Sequence, residues 1–95
     1  MCAEAAKTVR VRVEGLVQGV GFRAFASRRA ADLGVTGWVR NTLDGAVEFE
    51  AQANPGAMER FLLDVRAGPR MARVEEMRVE SVGDAPDYSS FEMRW

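Results

Sequence analysis

The chain has 95 residues, of which 47% are hydrophobic and 28% are charged, and its formal net charge at pH 7 is −1. This length predicts one small domain with a single core, and the composition is that of an ordinary soluble globular protein. No apolar run approaches the length of a membrane span, and no signal-peptide pattern opens the chain. We therefore expect no membrane partner and a cytoplasmic location.

The chain has no histidine and a single cysteine, Cys2, so no intramolecular disulfide can form. Cys2 lies in an Ala-rich leader, residues 1–6, that is expected to be disordered, and residues 7–95 form the predicted domain. Without histidine the chain lacks the commonest general base and the commonest metal ligand. Its carboxylates show no spacing typical of a zinc or calcium site. The chemistry is expected to need no metal and no cofactor.

Hydrophobic periodicity predicts a strand, a helix and a second strand in the first half of the chain. Apolar and polar residues alternate over residues 8–14, and a helical pattern covers Phe22–Leu33, which Gly34 ends. A second strand, Thr36–Asn41, leads to Asp44-Gly45, a dipeptide typical of β-hairpin turns. The glycine-rich stretch before Phe22 is thus a strand-to-helix loop.

The second half of the chain is predicted to add a strand, a helix and two further strands. The third strand, from residue 47, alternates cleanly, and Asn54-Pro55 is typical of a helix start. Gly68-Pro69 ends that helix. A fourth strand covers residues 74–82, with a slip of apolar phase before residue 77 that indicates a bulge. A short last strand begins at residue 91.

The order β-α-β-β-α-β plus one short strand predicts an α+β fold of the ferredoxin-like split β-α-β type. Two helices are expected on one face of a mainly antiparallel sheet, with the other face open to solvent. Large apolar side chains at helical or strand spacing are expected in the core: Phe25, Phe49, Phe61, Phe91 and Met93.

Gly15, Gly19 and Gly21 lie in the strand-to-helix loop, and Arg23 lies in the first helical turn. Glycine permits backbone angles that aim successive N–H groups into one concavity, and a helix N-terminus adds unpaired N–H groups. The guanidinium matches phosphate oxygens. Residues 8–40 hold six arginines against two acidic residues, a net charge of +4 that suits an anion. The loop fits neither the Walker nor the dinucleotide pattern, and by itself it is equally consistent with a simple chain reversal.

Asn41 ends the second predicted strand. A helical crossover joins the first two strands, so they run in the same direction and end at the same edge of the sheet. Asn41 can therefore approach the predicted anion site. Asparagine is also common near turns, and shaping the hairpin together with Thr42 is the slightly favoured role on these grounds alone.

The chain resembles the acylphosphatases in three segments: residues 15–23 (GLVQGVGFR), residues 37–48 (GWVRNTLDGAVE) and, more weakly, residues 68–74. The resemblance runs from about residue 7 onwards. It implies hydrolysis of acyl phosphates to a carboxylate and inorganic phosphate, with phosphate as product and competitive inhibitor.

The resemblance also implies a set of site residues. Arg23 and Asn41 would be the catalytic pair, with Thr42 in support. The main chain would cradle the phosphate through Gly15, Leu16, Val17, Gln18, Gly19, Val20 and Gly21. The leaving group is a carboxylate whose acid has a pKa near ~4, so no general acid is needed. The transition state of phosphoryl transfer is loose, so charge neutralisation by Arg23 and a water positioned by Asn41 would suffice.

Two other classes of function fit parts of the pattern. A non-catalytic anion-binding module would need Arg23 and the loop but no water-orienting Asn41. An RNA-binding domain shares the strand and helix order but stacks bases on exposed aromatic side chains. Here the solvent face of the third strand shows Glu48, Glu50 and Gln52, and the sequence pI is about 5.4. We expect no nucleic-acid partner and a monomer.

Overall fold

The computed structural model describes residues 6–95, so residues 1–5 of the predicted leader, with Cys2, lie outside the described residues. The elements are β1 (Lys7–Leu16), α1 (Phe22–Leu33), β2 (Thr36–Asn41), β3 (Val47–Ala53), α2 (Pro55–Ala67), β4 (Arg73–Ser81) and β5 (Phe91–Arg94). Their order matches the prediction. Neither helix is long and apolar enough to cross a membrane.

The strands form one five-stranded sheet in the order β4-β1-β3-β2-β5. β2 and β5 are parallel, and every other neighbouring pair is antiparallel. The two helices contact each other and the sheet, so the predicted ferredoxin-like α+β fold is confirmed. β1 and β2 are both antiparallel to β3, which lies between them. They therefore run in the same direction and end at the same edge of the sheet.

The core lies between the helices and the sheet. Phe61 of α2 packs against Phe49 of β3, with 5.5 Å between ring centroids, and against Phe91 of β5, with 5.8 Å. Burying a side chain of this size stabilises a fold by about 1.5–3 kcal/mol. Asn54 is the N-cap of α2 and accepts a hydrogen bond from the Ala57 N–H at 2.9 Å, as its position before a proline predicts.

β1 extends two residues beyond its predicted end at residue 14. The register with β4 shifts between Glu14 and Gly15, because Glu75 is an extra residue in β4. This bulge lies where the apolar phase slips, as predicted. Gly15 has a φ of +131°, and a Cβ there would lie 2.2 Å from the Arg73 carbonyl oxygen, so only glycine fits.

The second face of the sheet is partly covered, which corrects the prediction that it is open to solvent. The connection from β4 to β5 crosses it, and the Tyr88 hydroxyl donates to Glu50 Oε1 at 2.5 Å and accepts from Trp38 Nε1 at 3.2 Å. Arg10 also pairs with Glu50, at 2.7 Å. Glu50 is consequently 5% exposed and Trp38 4% exposed. Burial, and then the hydrogen bond to Glu50, raise the pKa of Tyr88.

Candidate functional site

The loop of residues 17–21 connects β1 to α1 at the edge of the sheet where β2 also ends. Gly19 and Gly21 have left-handed φ angles of 75° and 79°, and a Cβ built on either would meet nothing within 4 Å. Glycine is needed there for the backbone angle and not for space. Gly21 is the N-cap of α1, and no side chain in residues 6–95 caps it. The N–H groups of this first turn can therefore bind an anion.

The Gln18 side chain links this loop to the β2–β3 hairpin by hydrogen bonds. Its Nε2 donates to the carbonyl oxygens of Thr42 and Ala46, both at 2.7 Å. Both amide hydrogens of the side chain are used in this way, so Gln18 can offer an anion only its main-chain N–H. The side chain thus holds the glycine loop beside the end of β2.

Thr42 organises the hairpin itself. Its Oγ1 donates to the Asp44 carboxylate and accepts from the Ala46 N–H at 3.0 Å, while the Thr42 N–H donates to the Ala46 carbonyl at 2.9 Å. The hydrogen bond from Thr42, and next that from Arg12, hold the pKa of Asp44 below its usual range. Thr42 follows Asn41 directly, so this network fixes the backbone next to Asn41.

Arg23 lies in the first turn of α1 and is held from β5. Its Nη1 donates to the Arg94 carbonyl oxygen at 2.8 Å, and its Cζ lies 4.4 Å from the centre of the Trp95 ring. No salt bridge within the described part of the chain involves Arg23. Its charge is therefore not neutralised by a carboxylate, and most of its N–H donors remain for a ligand.

A cavity of about 230 Å³ brings the predicted catalytic pair together, since both Arg23 and Asn41 line it. Its other lining residues are Val17, Gly19, Gly21, Phe22, Ala24 and Met93. A neighbouring cavity of about 420 Å³ shares Asn41 and is lined also by Thr42, Leu43 and Trp95. The first cavity combines a guanidinium, an amide and a glycine loop, which suits a small anion.

The predicted phosphate cradle of residues 15–21 is divided by the structure. Val17, Gly19 and Gly21 line the cavity that contains Arg23, whereas Gly15 and Leu16 belong to β1. These two line a separate cavity of about 560 Å³, together with Glu14, Asp44 and Glu75. Arg12 also lines this cavity, but its guanidinium is paired with Glu14 and Asp44, so the three carboxylates there disfavour an anion. Gln18 points to the hairpin and Val20 packs against the core.

β5 also contributes to this site, which the sequence pattern does not predict. Met93 was expected in the core, but it is 44% exposed and lines the cavity with Asn41. Trp95 follows β5 directly, and its ring centre lies 4.4 Å from the Arg23 guanidinium carbon. Only the parallel pairing of β5 with β2 brings these residues to the site, and strand order along the chain does not reveal that pairing.

Comparison with known proteins gives a consistent result. A family model described as Acylphosphatase matches residues 9–93. An acylphosphatase of Salinibacter ruber is 48% identical over 88 residues, which cover 93% of each chain. The crystal structure of acylphosphatase from Bacillus subtilis is 31% identical with a TM-score of 0.90, covering 94% of this chain and 99% of that one. An acylphosphatase structure from Coxiella burnetii is 32% identical with a TM-score of 0.90, covering 99% of this chain and 100% of that one. The chain therefore belongs to the acylphosphatase family.

Proposed function

We propose that this protein hydrolyses acyl phosphates without a metal ion, that Arg23 and the N–H groups of residues 17–21 hold the phosphate, and that Asn41 orients the attacking water. A hydrolase acting on acyl phosphates follows from membership of the family. One observation carries the assignment of residues. Arg23, which no carboxylate in residues 6–95 neutralises, lines one cavity with Asn41 and the glycine loop.

The phosphate would be held by charge and by main-chain donors. A guanidinium can donate two parallel hydrogen bonds to a phosphoryl group, and these charge-assisted bonds are about twice as strong as neutral ones. The N–H groups around Gly19 and at the start of α1 add donors and the positive end of the helix dipole. The same groups would bind inorganic phosphate, the product, which should therefore inhibit competitively.

Hydrolysis at this site needs little more than positioning. The bond from phosphorus to the acyl oxygen breaks as water attacks on the opposite side, and the carboxylate leaves without being protonated. The charge that spreads over the peripheral oxygens is neutralised by Arg23 and the loop. The Asn41 amide would hold the water in line. An oxygen of the phosphate itself would accept the proton from the water. Thr42 would support Asn41 through the hairpin.

The donor set of the cavity supports a metal-independent reaction. None of its lining residues carries a carboxylate, thiolate or imidazole. Across residues 6–95 no three His, Cys, Asp or Glu side chains group as a possible metal site. Such a set of hydrogen-bond donors binds an anion directly and offers a divalent cation few ligands.

The test measures phosphate release from acetyl phosphate and benzoyl phosphate by the purified protein and three variants, with inorganic phosphate as inhibitor. Arg23→Ala should abolish turnover and weaken phosphate inhibition at least tenfold, since each charge-assisted hydrogen bond contributes about 1.5–3 kcal/mol. Arg28→Ala is the matched control. Arg28 is also in α1, but it is exposed and does not line the cavity, so Arg28→Ala should change neither the turnover number nor the phosphate inhibition constant.

Asn41→Ala separates hydrolysis from binding. Without the amide, kcat should fall by about two orders of magnitude, because misplacing a reactant by 1 Å can cost that much. The phosphate inhibition constant should stay close to that of the wild type, since Arg23 and the loop remain. A large loss of phosphate affinity with kcat intact would instead favour the non-catalytic anion-binding module.

A monomeric state and a cytoplasmic location remain predictions from composition. The monomer is tested by sedimentation equilibrium of the purified protein, in which a mass near the 10.5 kDa of one chain is expected. Self-association in the concentration range of the enzyme assay would contradict it.

A further inference from the structure

β5 carries its last residues to the end of β2. The two strands pair in parallel with Arg40 opposite Arg94, so Trp95 follows beside Asn41. Both residues line the cavity of about 420 Å³ that adjoins the anion cavity. The end of β5 and the residue after it thus reach the candidate site through the Arg94 main-chain carbonyl and the Trp95 ring.

We propose that Trp95 is a positioning residue for Arg23, an inference that rests on the proposed phosphate-binding role of Arg23. The guanidinium carbon lies 4.4 Å from the centre of the Trp95 ring, within the range of a cation–π interaction. Trp95 is 91% exposed, so its ring adds little to the hydrophobic core. In the described residues, the ring contacts the guanidinium of Arg23, the side chain proposed to bind the phosphate.

The contact leaves the donors of Arg23 free. A guanidinium has five N–H donors, and the hydrogen bond described for Arg23, to the Arg94 carbonyl, uses one of them. Phosphate can therefore bind the remaining N–H groups while the ring stays in contact with Arg23. The Arg94 carbonyl, at 2.8 Å from Nη1, fixes one corner of the plane and adds no charge.

This arrangement differs from that of other arginines in the same sheet and helices. Arg10, Arg12 and Arg29 are each held by a carboxylate, at 2.7, 2.5 and 2.9 Å respectively. A carboxylate would hold Arg23 equally well, but it would neutralise the charge and occupy the donors that a phosphate needs. A neutral carbonyl and an aromatic ring orient the guanidinium and leave its charge available to the ligand.

The test compares Trp95→Ala, Trp95→Leu and Trp95→Phe with the wild type, using acetyl phosphate as substrate and inorganic phosphate as inhibitor. Acetyl phosphate has a small acyl group, which limits direct contact with the ring. The alanine and leucine variants should lose about two- to fivefold in phosphate affinity and in kcat/KM, the strength of an exposed cation–π contact. The phenylalanine variant should keep most of the wild-type phosphate affinity and kcat/KM. Because residue 95 is exposed, thermal unfolding should be unchanged in all three.

A spectroscopic readout tests the contact directly. The chain has two tryptophans, and Trp38 is buried. Phosphate titration should change the tryptophan emission of the wild type, with a dissociation constant equal to the inhibition constant. The change should be lost in Trp95→Phe, which retains Trp38, and in Arg23→Ala. Equal emission changes in the wild type and Trp95→Phe would overturn the assignment of the signal to Trp95 and the proposal with it.

The outcomes separate this proposal from the proposed function. If Arg23→Ala retains normal phosphate affinity and turnover, the proposed function of the site fails. If Arg23→Ala is inactive while Trp95→Ala keeps wild-type constants, only the positioning role of Trp95 is overturned. Loss of phosphate affinity in the leucine variant with rescue by phenylalanine supports the proposal, since leucine covers a similar area without a π-system.

Discussion

Replacing Gln18 with alanine should lower both the stability of the protein and its activity. The Gln18 side chain donates two hydrogen bonds of 2.7 Å to the hairpin. Each contributes about 0.5–1.5 kcal/mol net, so their loss should cost about 1–3 kcal/mol. The cost should not be larger, because the Thr42 carbonyl still accepts from Gly45 N–H and the Ala46 carbonyl from Thr42 N–H. In a domain of this size, each kcal/mol lowers Tm by roughly 4–8 °C.

The effect on activity should exceed what this loss of stability explains. Gln18 is the side chain that joins the loop of residues 17–21 to the hairpin beside Asn41, so its removal lets the two parts of the site move apart. We expect kcat to fall about tenfold or more at a temperature where the variant is fully folded. Thermal unfolding and phosphate release, measured on the same preparation, check both parts.

Gln52→Ala is the matched control for this experiment. Its Nε2 also donates two hydrogen bonds, to Thr8 Oγ1 and to the Pro86 carbonyl, both at 2.9 Å, and its Oε1 accepts a third from the Tyr88 N–H at 3.0 Å. Gln52 lies on the sheet face opposite the helices and lines no cavity that contains Arg23. Gln52→Ala should lose at least as much stability as Gln18→Ala and keep wild-type kinetic constants. A Gln18 variant with normal kcat, or a Gln52 variant with the same kinetic loss, would refute the reasoning.

Three further outcomes are expected. Turnover should stay level across roughly pH 5–8 and survive EDTA, since no histidine titrates there; recovery with added zinc or magnesium after chelation would reveal a metal site. The pKa of Tyr88 is raised, so the neutral phenol stabilises the fold fully below the ordinary phenol pKa near ~10, and this stabilisation is lost as the pH rises through the raised pKa. Denaturant midpoints measured against pH should show this loss of stability in the wild type and not in Tyr88→Phe. Gly15→Ala should destabilise by about 1–3 kcal/mol or more, because its Cβ would meet the Arg73 carbonyl. Gly19→Ala carries only the backbone strain of its left-handed φ, roughly 1–2 kcal/mol, and should weaken phosphate inhibition more than Gly15→Ala does; equal effects of the two on phosphate inhibition would contradict this distinction.

The elements of the fold could be predicted because their signals are local. The alternation of Val47 and Phe49 with their polar neighbours places β3, and Asn54-Pro55 marks the start of α2 with its cap. The glycine at position 34 ends α1 with a left-handed φ of 73°. Each of these signals lies within a few residues of the structure that it specifies, so one sequence is sufficient to detect it.

The parts that sequence reasoning missed depend on contacts between distant segments. Glu50 has the alternation of a solvent-facing residue, and it is buried because Tyr88, 38 positions later, is placed above it. The approach of Gly19 and Asn41 to one cavity followed from strand direction, which topology predicts. The orientation of the Gln18 side chain and the position of Trp95 follow from packing between elements, and periodicity carries no information about that packing.

The bond between Arg23 and the Arg94 carbonyl spans 71 positions of the chain. Closing a loop of this length costs about 4 kcal/mol of conformational entropy. β1 and β4 pair across a similar separation, 72 positions between Val9 and Ser81, but they do so over eight residue pairs, whereas β5 has four residues and pairs only with β2. We therefore expect β5 to dock only after the remainder of the sheet has assembled. During synthesis and refolding, the protein would first form most of its core, and the docking of β5 would then add Phe91 to the core and orient Arg23. Compaction and the onset of turnover would thus be separate events in time, the second waiting for the last residues of the sheet.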